Sequence, residues 1–461
     1  MSHLRLRAGI AAGRLSARLI RLIAAGGATT MPGRVAAAVD PQILARLGRR
    51  LSQGSVLITG TNGKTTTARL LSAVLERAGR GVVANRAGAN LPSGIVSALV
   101  RAGTLSGRIV GDVGVFEVDE AALPLVTEPL RPRLLVLGNL FRDQLDRYGE
   151  IDLVADRWRA ALAHLDGGTV IYNADDPLVS DVGRTHPAGR PFGIEHPGLS
   201  KATLEHAADG RYCYRCGVPY SYSAVHLAHL GTYRCPRCGT ARPSPEVAAE
   251  SVQLRGAAGG TFTLRAPTAS VLIQSSLPGL YNVYNVLAAA TAALALGASL
   301  EDVAATVEEF RPAFGRGEEI LIEGHRVVML LAKNPAGFNE VLRTVTAAGE
   351  PLVGVIAIND HIADGRDISW LWDVDFELLA GRCRAVVLSG LRAPEMAVRL
   401  KYAGLDGAAV EVEPDLERAL RIGLRRLAGG ETLYVMPTYT AMLGLRAALA
   451  RRGLVRASWE D

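Results

Sequence analysis

Short apolar runs alternate along the chain with segments in which apolar residues recur every three or four positions. The apolar runs are typical of buried strands and lie at 55–59, 81–84, 113–118, 133–137 and 169–172. Between them the spacing predicts helices. In one such segment Val154, Trp158 and Leu162 fall on the same helix face. Strands that alternate with helices predict a parallel sheet covered by helices on both sides.

This alternation stops in a segment where Cys, Tyr, Gly and Pro concentrate. We interpret the segment, residues 200–248, as an insertion into the α/β pattern. After it, the sequence predicts a strand pair at 251–254 and 261–264, and then an Ala-rich helix at 282–296. Pro and Gly punctuate residues 311–317, which indicates a hinge.

Beyond the hinge the alternation resumes and predicts a second, smaller α/β domain of Rossmann-like type. Its strands are expected at 327–331, 352–358, 385–388, 409–412 and 433–435, and its helices near 336–348, 394–403, 415–428 and 440–452. We therefore divide the chain into a helical segment at 1–50, broken at Pro32 and Gly33, a central domain at 51–314 and a C-terminal domain at 315–461.

Composition narrows the class of protein. The chain has 461 residues, which at about 150 residues per domain fits about three domains. Hydrophobic residues make up 49% and charged residues 21%, which excludes a largely disordered chain. The net charge of +6 indicates only a mild preference for anionic partners. Because no run of eighteen uncharged apolar residues occurs, we expect no transmembrane helix.

Residues 4–23 alternate Arg with apolar residues, and this stretch is too broken for the apolar core of a signal peptide. It is interpreted as a basic surface helix or, alternatively, as a helix resting on an anionic membrane surface. The five cysteines fit a cytoplasmic enzyme, because four of them form a metal-binding pattern and Cys383 stands alone. The expected location is the cytoplasm, with the inner leaflet of the cell membrane as the place for peripheral contact.

A phosphate-binding loop is predicted between the first strand and the helix that follows it. The loop reads Gly60, Thr61, Asn62, Gly63, Lys64, Thr65, Thr66. Glycines let backbone N–H groups approach phosphate oxygens, and the helix N-terminus supplies partial positive charge. Lys64 can neutralise the β- and γ-phosphates, and the Thr65 hydroxyl can bind Mg²⁺. Glu117 ends an apolar strand, where a carboxylate faces the ligand crevice and can share that Mg²⁺.

Four cysteines have the spacing of a structural zinc site. Cys213 and Cys216 form one Cys-x₂-Cys pair, and Cys235 and Cys238 form a second pair eighteen residues later. A Gly follows each pair and permits the tight turn of a zinc knuckle. All four zinc positions are then filled by thiolates, so we expect the metal to hold the insertion together rather than to take part in catalysis.

The phosphate loop resembles that of the Mur ligases and folylpolyglutamate synthases, and further motifs of that family follow in order. They are Asn-Leu-Phe-Arg-Asp-Gln-Leu-Asp-Arg-Tyr-Gly at 139–149, Asn-Ala-Asp-Asp-Pro at 173–177, Pro-Gly-Leu-Tyr-Asn-Val-Tyr-Asn at 278–285 and Phe-Gly-Arg at 314–316. The resemblance implies a Mur ligase-type central domain that binds ATP. It also implies that Asn282 and Asn285 lie by the adenine and Arg316 by the phosphates.

Three positions depart from the Mur ligases that add amino acids. Gln144 and Tyr281 stand where those ligases usually have His, and no Lys occurs between Lys64 and Lys201. These ligases often hold a second Mg²⁺ through a carbamylated Lys in that interval. A second Mg²⁺ held in that way is therefore not expected here.

The four-cysteine insertion and two C-terminal motifs narrow the resemblance to the MurT family, the ligase subunits of lipid II isoglutaminyl synthase. The motifs are Leu-Ala-Lys-Asn-Pro at 331–335 and Asn-Asp-His-Ile-Ala-Asp-Gly-Arg-Asp at 359–367. The resemblance implies amidation of D-glutamate in lipid II through an acyl phosphate, with ammonia from a GatD-type class I glutamine amidotransferase. It also implies an acidic residue that completes the partner's Cys–His pair, for which Asp367 is favoured and Asp364 is second.

Two other functions remain open at this point. A stand-alone ligase would add a free amino acid without a partner, and the missing His and carbamylated Lys argue against it. A nucleic-acid-binding ATPase would present a basic, aromatic stripe beside the cysteines. The residues available for such a stripe are Arg211, Tyr212, Tyr214, Arg215, Tyr233, Arg234, Arg237 and Arg242. This charge is modest, so no nucleic-acid partner is expected.

Overall fold

The computed structural model describes residues 2–455, apart from 24–29, 86–87, 144–150 and the single positions 202, 207, 313, 348, 350 and 406. Gln144, one of the departures from the amino-acid-adding ligases, lies outside the described residues. Within the described part of the chain, no helix is both long and apolar enough to cross a lipid bilayer.

A nine-stranded sheet forms the centre of the larger part of the protein. Its strands, in chain order, are β1 (Ser55–Thr59), β2 (Val82–Ala84), β3 (Val113–Glu117), β4 (Leu134–Leu137), β5 (Thr169–Asn173), β6 (Gly189–Ile194), β9 (Val247–Leu254), β10 (Gly260–Arg265) and β11 (Ser270–Ser275). The spatial order is β11-β10-β9-β6-β5-β4-β1-β3-β2. The run from β2 to β9 is parallel, and β10 and β11 add an antiparallel edge. The predicted parallel sheet is confirmed.

Helices cover both faces of this sheet, as the alternating pattern predicts. They are α4 (Lys64–Arg77), α5 (Pro92–Ala102), α6 (Leu123–Leu130), α7 (Ile151–Ala163), α8 (Pro177–Gly183), α9 (Leu280–Ala295) and α10 (Leu300–Glu309). Strand β1 contributes side chains to the hydrophobic cores on both faces of the sheet. Val56 and Ile58 pack with α4 and α9 on one face, whereas Leu57 packs with Phe116 and Trp158 on the other. Strand β1 lies between β4 and β3, and the phosphate loop begins at its carboxyl end.

Three helices precede the sheet: α1 (Ser2–Ile23), α2 (Met31–Val39) and α3 (Ile43–Gly48). The break expected at Pro32 and Gly33 was wrong, because both residues lie in the first turn of α2. A helix tolerates Pro there, since its missing N–H would have no intrahelical partner. Gly33 is needed for packing: a Cβ at this position would lie 1.8 Å from the backbone oxygen of Ser93 in α5.

The insertion lies between β6 and β9, which pair with each other in parallel. It contains an antiparallel hairpin of β7 (Ser221–Leu227) and β8 (Leu230–Arg234). The cysteines flank this hairpin, so the predicted insertion agrees with the observed excursion from the sheet.

The C-terminal part has its own six-stranded sheet and hydrophobic cores. Its strands are β12 (Arg316–Ile322), β13 (His325–Leu330), β14 (Leu352–Ala357), β15 (Cys383–Ser389), β16 (Val410–Val412) and β17 (Thr432–Pro437), in the order β12-β13-β17-β14-β15-β16. Its helices are α11 (Pro335–Thr346), α12 (Ala393–Tyr402), α13 (Leu416–Arg425) and α14 (Tyr439–Arg451). Only β12 pairs antiparallel, so the expected smaller α/β unit is confirmed.

Candidate functional site

The phosphate loop connects β1 to α4 through two glycines with positive φ. Gly60 has φ of 145° and Gly63 has φ of 86°. A side chain at Gly63 would also collide with its surroundings, because a Cβ would lie 1.9 Å from Oδ1 of Asn285. Both the backbone conformation and the available space therefore require glycine, and they leave the loop open for a close ligand.

Lys64 begins α4 and is held inside the loop. Its ammonium group donates to the carbonyls of Gly60 and Thr61 and lies 3.1 Å from the carboxylate of Glu120. Burial raises the pKa of Glu120, although Lys64 and Lys333 act in the opposite direction. The next residue, Thr65, donates from its hydroxyl to Oε2 of Glu117 at 2.7 Å. Lys64 and Thr65 thus lie side by side at the start of α4, and Glu117 reaches Thr65 from the end of β3.

A cavity of about 370 Å³ opens above this loop, and the C-terminal domain closes its far side. Ligand pockets of about 300–1,000 Å³ are usual for small molecules and cofactors. From the C-terminal domain the lining includes Arg316, Lys333, Glu340 and Tyr439. The two parts also meet directly, because the side-chain amides of Asn62 and Asn334 hydrogen-bond to each other, with Asn334 donating at 3.0 Å.

Arg316 is the residue that the resemblance places by the phosphates. It lines the cavity, and burial lowers its pKa. Its Nη1 is buried without a hydrogen-bond partner among the described residues. A buried guanidinium nitrogen that lacks a partner is costly unless an anion binds it. This observation fits a phosphate ligand.

Lys333 is a site residue to which the sequence reasoning assigned no role. It pairs with Asp143 and lines the same cavity as Lys64. Burial alone would lower its pKa, but Asp143 and Glu120 outweigh burial and raise it, so the amine stays charged. A sequence signal was available: the basic residues of this chain are almost entirely Arg, and Lys333 is one of only four Lys.

Asn282 and Asn285 lie on the first turns of α9 and have different positions. Asn285 lines the cavity, as does Tyr281. Asn282 donates to the carbonyl of Pro278 at 2.7 Å and accepts from Asn285 at 2.9 Å. Asn282 therefore orients the amide of Asn285, which faces the loop at Gly63.

The two candidate acids of the C-terminal domain also differ in their surroundings. Asp364 is buried and accepts from both the backbone N–H and the hydroxyl of Thr440, at the start of α14. Asp367 is exposed and accepts from the backbone N–H of Ser369 at 2.8 Å. A group on another chain can therefore reach Asp367, whereas Asp364 is occupied within the fold.

The four cysteines converge beside the hairpin, with all four sulfurs within 4.8 Å of one another. Sγ of Cys213 lies 3.5 Å from that of Cys238, and Sγ of Cys216 lies 3.4 Å from that of Cys235. These distances exclude disulfides, whose sulfurs are about 2.05 Å apart, and approach the edges of a tetrahedron with Zn–S bonds of about 2.3 Å. The cluster is therefore a candidate metal site.

The tip of the hairpin reaches the cavity, where Leu227 and Leu230 form part of the wall. Between them, His229 is fully buried, accepts from the backbone N–H of Asp209 at 3.2 Å and lies 3.5 Å from the carboxylate of Asp176. Burial opposes its charge, but Asp176 raises its pKa. The four-cysteine insertion thus packs against the cavity and forms one of its walls.

Hydrogen bonds connect this tip to the phosphate loop. The carboxylate of Asp209 accepts from the backbone and the side chain of Arg142. The neighbouring residue, Phe141, exchanges backbone hydrogen bonds of 3.0 and 3.2 Å with the hydroxyl of Thr61. A path of direct contacts therefore runs from the hairpin to the loop expected to hold phosphate.

A second set of contacts connects the tip to the C-terminal domain through Glu205. This buried carboxylate accepts from the backbone N–H of Ala228 at 3.0 Å, and it pairs with Lys201 and with Arg343 of α11. Burial alone would raise the pKa of Glu205, but Lys201 and Arg343 outweigh burial and lower it from the ordinary value of 4.5.

Replacing Glu205 with Gln is expected to destabilise the protein by about 2 kcal/mol at neutral pH, because the partly exposed cations Lys201 and Arg343 lose a buried carboxylate partner. A depressed pKa adds stability above about pH 4.5, and this contribution is lost as the pH falls through the folded-state pKa. The difference in unfolding free energy between E205Q and wild type should therefore shrink below pH 4.5. Denaturant titrations across pH measure it, with exposed Glu308→Gln as the control. A pH-independent difference would contradict the charge-based explanation.

The basic stripe that would support nucleic-acid binding is mostly engaged in internal contacts. Arg242 is buried and pairs with Asp175 at 2.6 Å, and Arg215 pairs with Asp181 at 3.0 Å. The side chain of Arg211 donates to backbone carbonyls. Because these arginines already contact groups within the fold, less of their charge is available to bind a nucleic-acid phosphate backbone.

Comparisons with known proteins agree with this geometry. Residues 58–234 match the Mur ligase middle domain, and residues 331–442 match the MurT ligase C-terminal domain. The chain is 31% identical over 455 residues to the lipid II isoglutaminyl synthase (glutamine-hydrolyzing) subunit MurT of Streptococcus pneumoniae. That alignment covers 98% of this chain and 99% of the pneumococcal protein. The chain belongs to the MurT family.

A second member of the MurT family, from Staphylococcus aureus (strain COL), is 33% identical over 403 residues, with 85% of this chain and 86% of that protein covered. Among solved structures, a pseudomurein peptide ligase type C from Methanothermus fervidus superposes with a TM-score of 0.66. It is 23% identical, with 86% of this chain and 78% of that chain covered, and it supports the Mur ligase fold. The Mur ligase middle domain implies the use of ATP, so the loop at Lys64 is the place expected for its phosphates.

Proposed function

We propose that the chain is the ATP-dependent ligase subunit that, with a glutaminase partner, converts the α-carboxylate of D-glutamate in lipid II into the carboxamide of D-isoglutamine. This reaction belongs to peptidoglycan biosynthesis and, because its substrate is linked to a lipid, takes place at the inner face of the cell membrane. One observation carries the proposal: the phosphate loop and the MurT-type C-terminal domain face each other across a single cavity.

Different residues of the cavity bind different parts of ATP. Backbone N–H groups of the loop and Lys64 bind the β- and γ-phosphates, and Arg316 supplies a second cation at the hinge. Thr65 and Glu117 present oxygen ligands of the kind that Mg²⁺ prefers, and their mutual hydrogen bond places both beside Lys64. Asn285, oriented by Asn282, lies next to the loop, where we place the adenine.

The carboxylate of D-glutamate is a poor electrophile and must be activated before ammonia can attack it. A carboxylate oxygen of D-glutamate attacks the γ-phosphorus of ATP, the bond to the β-phosphate oxygen breaks, and ADP leaves with an acyl phosphate remaining on the substrate. Ammonia then attacks the acyl carbon and loses a proton, and inorganic phosphate leaves. Both steps concentrate negative charge between the two domains, where Lys64, Lys333 and Arg316 converge.

The ammonia comes from glutamine, which a GatD-type class I glutamine amidotransferase hydrolyses as the partner in a heterodimer. We place its docking site on the C-terminal domain around Asp367. Exposed apolar and aromatic side chains lie in this region, namely Ile362, Trp372 and Tyr402, and the last two rings contact each other with centroids 5.7 Å apart. Protein interfaces are enriched in such residues.

The four cysteines fit zinc, which we propose as a structural ion held by Cys213, Cys216, Cys235 and Cys238 as thiolates. Glycines with positive φ follow each pair, at Gly217 and Gly239. The metal would supply the insertion with stability that its small cluster of buried residues cannot supply alone.

The proposed function is tested by supplying lipid II, ATP, Mg²⁺ and glutamine to the chain with and without the glutaminase. Mass spectrometry of the lipid product reads the outcome. Conversion of a carboxylate to a carboxamide that needs both chains supports the proposal. Addition of an amino-acid residue by the single chain would instead indicate a stand-alone ligase, and absence of any product with both chains would contradict the proposal.

Replacing Asp367 with Asn is expected to lower glutamine-dependent amidation by about 10²-fold or more, because the partner's imidazole loses the carboxylate that orients it. Amidation driven by added ammonium chloride should stay near the wild-type rate, since the ATP site is intact. Asp364→Asn is the comparison: it removes charge from a buried capping contact and should lower the melting temperature instead. Equal loss of both activities in D367N would contradict the assignment.

A further inference from the structure

The N-terminal helix α1 has an apolar stripe on its solvent side as well as on its buried side. Leu6 and Ile10 face the core, and Gly9 and Gly13 allow α2 to pack closely against the same side. The opposite side carries Leu4, Ala8, Ala11, Leu15 and Leu19, which fall within about 80° of one another at 3.6 residues per turn. Leu4, Leu15 and Leu19 are 71%, 58% and 48% exposed.

This exposed stripe lies in a segment with a single sign of charge. The first 39 residues contain six Arg and neither Asp nor Glu. Arg7 and Arg18 border the stripe on one side, Arg5 lies on the other, and all three are exposed. Arg14 is used inside the fold instead, donating to the carbonyls of Val100 and Arg101. An apolar helix face bordered by Arg is complementary to a bilayer with anionic headgroups.

The loop that contacts the buried side of α1 also carries exposed apolar and basic side chains. The loop after α5 lies against α1, since a Cβ on Gly107 would be 3.3 Å from Cδ2 of Leu6. Within this loop Leu105 and Val110 are exposed, as is Arg108. Two separate elements that touch each other thus present apolar side chains and arginines to solvent.

Helix α5 connects the cavity to the loop beside α1. Asn90 and Leu91 line the cavity, and α5 begins directly after them. Its eleven residues span about 16 Å before the chain enters the loop beside α1. A surface about one helix length from the cavity is suited to a substrate whose reacting carboxylate is tethered to a membrane lipid.

We propose that the outer face of α1, defined by Leu4, Leu15 and Leu19 with Arg5, Arg7 and Arg18, docks on an anionic membrane surface and thereby presents the cavity to its lipid-linked substrate. The link to substrate delivery rests on the proposed function, whereas membrane binding itself does not. The partner's docking site is placed on the C-terminal domain, around Asp367, which leaves the α1 face for the membrane.

The binding test uses the complex with the glutaminase and vesicles of phosphatidylcholine, alone or mixed with phosphatidylglycerol. Cosedimentation should occur with the anionic vesicles and weaken with salt. The double variant L15Q/L19Q should lower the vesicle partition coefficient about tenfold or more. R7Q/R18Q should lower it about tenfold and reduce its salt dependence. The exposed pair R421Q/R425Q removes the same charge elsewhere and should leave partitioning at the wild-type value.

The activity test separates this inference from the proposed function. L15Q/L19Q should lose amidation of lipid II in vesicles but keep amidation of a water-soluble substrate that carries the same peptide without the lipid. Vesicle binding unchanged in L15Q/L19Q would overturn the inference while leaving the function intact. Loss of the glutaminase complex in that variant, measured by size-exclusion chromatography, would also overturn it, because the face would then bind protein. Absence of amidation of both lipid II and the soluble substrate by the wild-type complex, with vesicle binding intact, would contradict the proposed function alone.

Discussion

Replacing Lys64 with Met is expected to lower ATP-dependent amidation by about 10³-fold or more, and to destabilise the fold by about 3 kcal/mol because Glu120 loses its ion pair. Lys64 is 9% exposed, and Met fills a similar volume without the charge. The charge matters because the transferred phosphoryl group develops negative charge where few other cations reach it. Lys333 and Arg316 approach the same cavity from the C-terminal domain, but neither lies in the loop.

Three measurements distinguish this outcome from general damage. Single-turnover assays follow acyl phosphate formation, titration with a fluorescent ADP analogue follows nucleotide binding, and thermal melting follows the fold. Lys401→Ala is the matched control, since this lysine is exposed on α12 and should leave all three unchanged. If the K64M protein stays folded and retains most of the wild-type rate, Lys64 is not part of the catalytic site.

Replacing Cys235 with Ser is expected to abolish stoichiometric zinc binding, lower the melting temperature by about 5–10 °C and weaken nucleotide binding about tenfold. Cys235 is fully buried in the sulfur cluster. The expected effect on nucleotide follows from the hairpin tip, where Leu227 and Leu230 form a wall of the cavity. Without the proposed zinc, the hairpin would lose its attachment at the cysteine end.

The control for this experiment is Cys383→Ser. Burial raises the pKa of Cys383 to about 11, and it lies in β15, away from the cluster. C383S should keep its zinc and its nucleotide affinity. For both variants, mass spectrometry measures the zinc content, and titration with the fluorescent ADP analogue measures the nucleotide affinity. A C235S protein that lacks zinc but binds nucleotide normally would restrict the four-cysteine insertion to a purely local stabilising role.

Most strands and helices could be predicted from the pattern of apolar residues, and the exceptions have physical causes. Strand β1 was expected at 55–59 and is observed as Ser55–Thr59. Strands β6, β11 and β12 and the hairpin of β7 and β8 were missed. β6 contains Gly189, Pro191 and Gly193, which weaken the signal. β11 is an edge strand with half of its residues exposed, so its pattern is less apolar than that of a central strand.

The sequence by itself determined the parts of the site that depend on short-range chemistry. The loop from Gly60 to Thr66 needs glycines beside a lysine and hydroxyl groups, and the two Cys-x₂-Cys pairs need only their own spacing. Each such motif is complete within a few residues, because backbone conformation and ligand geometry act locally. The observed positive φ of Gly60, Gly63, Gly217 and Gly239 agrees with this.

Only the tertiary structure decided which of these parts meet. Lys333 and Lys64 are far apart in sequence, and the hairpin tip at Leu230 belongs to a separate insertion, yet all three line one cavity. The structure also separated the two candidate acids, since Asp364 is occupied at α14 whereas Asp367 is exposed. Long-range packing sets these distances and burials, because they depend on how whole sheets and helices stack rather than on the identity of neighbouring residues.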